Sequence, residues 1–212
     1  MRRFLRIPAL LVVGATLAAP PASASGKAVT IGTRVAGNSI PWMGGAAAMR
    51  FQCLWFQRDI NYAGYVNVVE FAYQSGRPPA AFNNVRVWFC HTTKTKLEAT
   101  FDNNYAGKTP AQVMDKLTLT LSGTGWYDIG IDPNKFDYNN RDNLLMEIRW
   151  RGSSSTPIYC WRSEGTAARV YAKSHTANTG TVEDKTQYIR LHIGTMVGLE
   201  ATSLGRVRAL YR

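Results

Sequence analysis

The chain has 212 residues, with 25 Lys and Arg against 14 Asp and Glu, a formal net charge of +11, and 45% hydrophobic residues. That is long and apolar enough for one good core, and past the first residues no apolar stretch is long enough to span a membrane. The basic excess points to acidic partners such as anionic glycans, cell envelope or extracellular nucleic acid, and solubility explains it equally well. The basic residues are scattered and form no Lys/Arg block, so a specific nucleic-acid partner is not expected.

In chain order, residues 1–24 come first. Arg2, Arg3 and Arg6 precede an apolar run over 7–19, and Ala22-Ser23-Ala24 makes a small-x-small cleavage site. This reads as a secretory signal peptide of the general export route. The twin-arginine spacing falls one residue short, and no Cys follows the cleavage site to carry a lipid. Removing 24 residues leaves 188, and losing their three arginines takes the net charge from +11 to +8. The protein is expected to be secreted, either released or at the cell surface.

Strand signals dominate the rest. Period-2 alternation with β-branched and aromatic residues marks about ten short strands, at 28–35, 49–56, 65–73, 84–93, 116–122, 126–131, 143–150, 157–161, 168–173 and 188–193. Gly, Pro, Asp and Asn turns separate them, at 44–45, 76–79, 123–125, 132–134 and 152–155. One short helix is expected over 109–114, with Thr109 as N-cap and Pro110 at its first position. The sum is an all-β chain: an antiparallel β-sandwich, jelly-roll-like, as one domain over 25–198. Residues 199–212 form a basic tail. Leu204, Val207, Leu210 and Tyr211 lie at helical spacing, giving either a short amphipathic helix or a frayed end.

Three cysteines, Cys53, Cys90 and Cys160, allow one disulfide in an oxidising compartment, and sequence does not choose the pair. Buried free thiols are the equal alternative. Between Gly125 and Trp150 lie four Asp and four Asn. Asp132, Asp137, Asn139 and Asp142 supply oxygen ligands in number for Ca²⁺, yet the D-x-[DN]-x-[DN]-G spacing is missing. Turn formation is the favoured reading of this stretch, because Asp and Asn tolerate the left-handed region and bond their own backbone. No G-x-S-x-G or H-E-x-x-H occurs, and the three histidines are isolated, so no catalytic residue is assigned. For ligand stacking, Trp42 and Trp161 with neighbouring Arg162 have loop surroundings. Trp55, Trp88, Trp126 and Trp150 sit in strands and read as core.

Several stretches together resemble β-sandwich modules of large secreted bacterial extracellular and surface proteins. They are VTIGT at 29–33; Gln52 with Leu54-Trp55, like Q-x-L-Y; AGYVNVVEF at 63–71, like G-x-I-x-x-I-x-F; NNVRVWFCHT at 83–92; GWYDIGIDPNKFDYNNRDNLLMEI at 125–148; and YIRLHI at 188–193. The resemblance implies that Phe136 and Tyr138 pack inward and that Asn143 fixes the backbone before Leu144. Asn140-Arg141 stands where these modules usually have glycine. It implies an accessory or structural module and carries over no catalytic residue. The expectation is therefore a non-enzymatic extracellular protein for interaction or assembly, as in adhesion, matrix, filament or surface layer. Its partner would be a glycan, another protein or a second copy of itself. A carbohydrate-binding module for glycans, acidic ones included, is the alternative, and a glycan-active enzyme is the weaker third.

Overall fold

The computed structural model describes residues 26–74 and 79–195. The signal peptide expected at 1–24, the tail expected at 199–212 and most of the turn expected at 76–79 lie outside them. The described chain is nearly all β. Its strands are β1 (Gly26–Ile31), β2 (Ala36–Asn38), β3 (Ala48–Trp55), β4 (Gly64–Tyr73), β5 (Ala80–Thr92), β6 (Ala111–Leu121), β7 (Gly125–Asp128), β8 (Asp137–Tyr138), β9 (Asn143–Arg151), β10 (Cys160–Ala172), β11 (Thr181–Gln187) and β12 (Ile189–Gly194). Helical turns are confined to α1 (Gln57–Ile60) and a 3-10 turn at Phe101–Tyr105.

All strand pairs are antiparallel, in the order β1-β12-β4-β10-β3-β9-β5-β6, with β2 and β11 also on β10, and β7 and β8 also on β4. β10 joins the two halves of this path. Its first residue, Cys160, pairs with Tyr73 of β4, whereas Arg169 to Ala172 pair with Cys53 to Arg50 of β3. Between them the β10–β11 register shifts from Glu164 to Arg169, and such a bulge bends and twists a strand. The expected strands at 157–161 and 168–173 are thus two ends of one bent strand.

Alternation decides what each strand buries. Phe51, Cys53 and Trp55 of β3, Val85, Val87 and Phe89 of β5, and Leu144, Met146, Ile148 and Trp150 of β9 enter the main core. Val29, Ile31, Val66, Val69, Phe71, Ile189, Leu191 and Ile193, from β1, β4 and β12, close the same core. The opposite phase of the central strands builds a second, smaller cluster of Leu54, Cys90, Leu97, Phe101, Leu145 and Val170. All eight residues of β3 are consequently buried.

The second face is covered by residues 93–110, joined to the 173–180 connection. Phe101 N donates to Asn178 O at 3.1 Å, Gly180 N to Ala99 O at 2.9 Å, and Thr100 bridges Thr179.

Two expectations are corrected here. The helix expected at 109–114 is the start of β6: Ala111, Gln112 and Met114 pair with Phe89, Trp88 and Val87. A Thr-Pro start is a local signal, and the long partner strand β5 overrides it. The possible disulfide is replaced by three buried free thiols. Cys53 and Cys90 point into clusters on opposite faces, and β10 places Arg169, not Cys160, opposite Cys53. Burial pushes the Cys53 and Cys90 thiols up to about 11.

The cover packs tightly at Gly180, where a Cβ would lie 2.5 Å from Tyr171 O and 2.9 Å from Phe101 Cζ. Gly180→Ala is expected to cost about 1–3 kcal/mol through overpacking. Urea denaturation of the two proteins checks it.

Candidate functional site

The register of β6, β5, β9 and β3 lines up side chains that lie far apart in sequence. Asp115, Arg86, Arg149 and Arg50 stand opposite one another in one row, and Trp88, Glu147 and Gln52 in the next. All carry the phase that turns away from the main core. Like charges directly opposite one another destabilise a sheet unless they are compensated. The compensation is Glu147, whose side chain is fully buried.

Glu147 accepts five hydrogen bonds. Arg50 Nε donates to Oε1 and Arg50 Nη2 to Oε2, each at 3.2 Å. Gln52 Nε2 and the Tyr105 hydroxyl each donate to Oε2 at 2.6 Å. Arg149 Nε donates to Oε1. Arg50 also donates to Asp102 at 2.7 Å and to Ala177 O at 2.9 Å, and its guanidinium lies 4.4 Å from the Phe101 ring centroid. Burial disfavours the Arg50 charge, but Glu147 and Asp102 outweigh it and hold the guanidinium more firmly charged than usual. Burial first, then the Glu147 charge, keeps the Tyr105 phenol protonated. Asn104 Nδ2 donates to Gln52 Oε1 at 2.9 Å and completes the link between cover and sheet. With both oxygens saturated, Glu147 orients arginines.

Beside this hub lies a groove of about 460 Å³, lined by Arg86, Trp88, Arg149, Arg151, His175, Thr176 and Asn84. Arg149 stacks on Trp88 at 5.1 Å from the ring centroid. Arg86 Nε donates to Asp115 at 3.1 Å. Arg151 is exposed and makes no ion pair among the described residues. The groove therefore offers three guanidinium groups around a half-buried indole.

A second charged cluster occupies β4 and β12. Glu70 accepts from Arg190 Nη2 at 2.9 Å and lies 2.7 Å from His192 Nε2, while Arg190 stacks on Trp126 at 4.6 Å. The Arg190 hydrogen bond, then His192, holds the Glu70 carboxyl below its usual range against the cost of burial.

The ligand residues expected from sequence fall elsewhere. Trp42 is 0% exposed, packed against Phe71 and Phe82 in the main core, so it is not available for stacking. A loop position next to glycines looked open, but Phe71 and Phe82 close around the ring. Trp161 is half-buried with Arg34 at 5.0 Å from its ring, and Arg162 pairs with Glu164 at 2.6 Å. Neither lines the groove. Trp88, assigned to the core by its strand context, lines it instead. The signal was present in the alternation: if Val85, Val87 and Phe89 point inward, Arg86 and Trp88 share the other face.

The Asp/Asn-rich connection forms turns. Asn139 Oδ1 accepts from Arg141 N at 2.9 Å and Asp142 N at 3.1 Å, and Asn139 Nδ2 donates to Asp142 Oδ2 at 3.0 Å. Asn140 takes φ 52°, supplying the left-handed turn without glycine. Asp137 lies in β8 opposite Tyr65, and Asp132 N donates to Val113 O at 2.7 Å. Among the described residues no three His, Cys, Asp or Glu side chains gather as a metal site, so the calcium expectation for Asp132, Asp137, Asn139 and Asp142 finds no assembled ligand set. Phe136 and Tyr138 are buried in the main core. Asn143 accepts from Gln57 N at 2.9 Å and donates to Lys94 O at 2.8 Å. His91 Nε2 accepts from Asn139 N at 3.2 Å, its ring 4.6 Å from that of Phe136.

No family model matches the chain, and no curated protein matches it.

The hub and the turn each respond to a single substitution. Glu147→Gln leaves buried Arg50 without its main counter-charge and is expected to cost about 3–5 kcal/mol in a urea titration. The second concerns His91, whose pKa is lowered, chiefly by burial. The folded state then binds fewer protons than the unfolded chain, so this contribution is complete above the unfolded value of about 6.5 and is lost as pH falls through the lower folded value. Urea midpoints between pH 7.5 and 5 are expected to fall less steeply in His91→Gln than in the parent.

Proposed function

We propose that this is a secreted, non-enzymatic β-sandwich that binds an acidic glycan in the groove between β5 and β9. The core shared by strands from both ends of the pairing path supports a two-layer, jelly-roll-like sandwich, and the resemblance to modules of bacterial surface proteins points the same way. One observation carries the functional reading: Arg86 and Arg149 face each other across neighbouring strands, with Arg151 and Trp88 in the same groove. Guanidinium groups recognise carboxylate and sulfate oxygens in pairs, and an indole packs on the apolar face of a sugar ring. The net charge would speed capture of an anionic polymer without choosing it.

Self-assembly through strand edges is the less favoured reading. β6 ends the pairing path, but Asp132 N and the Tyr127 hydroxyl donate to its Val113 and Thr120 carbonyls, and the Lys116 ammonium reaches Ile129 O. An edge dressed in this way is a poor template for a second chain.

The test is binding of the exported protein to acidic polysaccharides at low salt and at about 0.15 M salt. Arg86→Ala and Arg151→Ala each remove a groove contact without touching Glu147, so their melting points should stay close to that of the parent. Each arginine variant is expected to weaken binding about 10- to 100-fold. Arg58→Ala, on α1 outside the groove, should bind as the parent does. Parent-like binding by both arginine variants would refute the groove as the site.

A further inference from the structure

We infer that the groove selects a tetrahedral ester group with three terminal oxygens, a sulfate or phosphate monoester carried on the glycan, over the carboxylate of a uronic acid. This rests on the glycan reading above and adds the chemistry of the group recognised. Each guanidinium is held by one edge. Arg149 Nε is committed to Glu147, and Arg86 Nε to Asp115. Neither arginine uses its two terminal nitrogens in an ion pair or hydrogen bond to another described residue. Arg149 is thus held at its Nε edge by a buried carboxylate and Arg86 is paired there by an exposed one, and both leave their outer Nη groups for a ligand.

Their spacing sets what that ligand must supply. Arg86 and Arg149 are direct cross-strand partners, so their Cα atoms stand about 4.5–5.5 Å apart. Two outward forks at that spacing, with Arg151, His175 and Thr176 on the same groove, present more donors than one carboxylate can satisfy. A carboxylate has two oxygens and pairs well with a single fork. A sulfate or phosphate monoester has three terminal oxygens arranged in a pyramid, and these can be divided between two forks and a third cation. The groove also has a surplus of charge to offer. In the row Arg86, Arg149 and Arg50, the cations are balanced by Asp115, Glu147 and Asp102, and Arg151 is extra. Trp88, beneath the Arg149 guanidinium, blocks water from one side of that cation and strengthens its bonds to an anion.

The experiment is calorimetric titration of the exported protein with four polymers: dextran sulfate, phosphorylated dextran, polygalacturonate and neutral dextran. The three charged polymers are matched in charge per unit length, and the salt is held at about 0.15 M. The expected result is binding to dextran sulfate or phosphorylated dextran at least about tenfold tighter than to polygalacturonate. Whichever of the two esters binds better names the source of the group. The double variant Arg86→Lys with Arg151→Lys keeps the charge and loses the forks, so it should lose that preference while still binding polyanions. Equal or tighter binding of polygalacturonate by the parent would overturn the inference and leave the groove as an acidic-glycan site. A preference unchanged in the double lysine variant would also overturn it. Binding of none of the charged polymers would overturn both this inference and the glycan reading.

Discussion

The carboxylate of Glu147 is the constraint around which the outer face of the central strands is arranged. It sits on β9 with no solvent contact and accepts from Arg50 and Gln52 on β3, from Arg149 on its own strand, and from Tyr105 in the cover. A buried charge is tolerated only when paired and fully hydrogen-bonded. Each donor therefore answers to the same point, which ties two strands and one connection into a single geometry. Such a hub adds little net stability compared with an apolar packing of equal volume, and its effect is to specify one arrangement. Here the arrangement includes the aim of Arg149, so the buried network and the open groove are two sides of one residue.

How much of this is legible in the sequence depends on whether the deciding contact is local. β3, β9, β12 and the second half of β5 alternate cleanly, and their positions follow from periodicity, whereas β4 shifts phase between Val66 and Val69, where its register with β12 slips. β10 does not alternate cleanly either, because the bulge after Glu164 interrupts its phase midway and makes one strand look like two. β11, TVEDKTQ, carries acid and base in its middle and has no apolar alternation at all. It is held by its ladder to β10, a contact that lies outside its own sequence. The start of β6 carries good helix-initiation chemistry, and only the presence of β5 beside it makes it a strand.

The same division explains the tryptophans. Trp42 and Trp88 exchange the roles that their neighbours in sequence suggest. Loop surroundings describe backbone shape, and they do not say whether another strand closes over the ring, as β4 and β5 do over Trp42. Strand surroundings likewise do not bury a residue; its phase does. Arg50 and Gln52 are the converse case. Their phase sends them away from the main core, yet both are buried, because residues 93–110 fold across them. A cover of this kind leaves a faint trace in sequence: a strand whose polar phase is unusually rich in groups able to bond in several directions.

Charge is the clearest example of organisation that composition hides. Along the chain the basic residues are scattered, and no run of them marks a binding stretch. Antiparallel register collects them. Arg86 and Arg149 lie 63 positions apart and become nearest neighbours across one ladder, and Arg50 joins the row across the next. Arg151 shares their face because strand side chains repeat every second residue. The acids are collected by the same rule but placed differently: Glu147 beneath the surface, Asp115 at the rim. Had Glu147 been one residue away, its carboxylate would have faced the apolar core, Arg149 would have lost its counter-charge, and Arg50 would have kept Asp102 alone. The phase of one glutamate thus decides both that Arg50 and Arg149 are tolerated side by side and that the outer nitrogens of Arg149 are left for the groove.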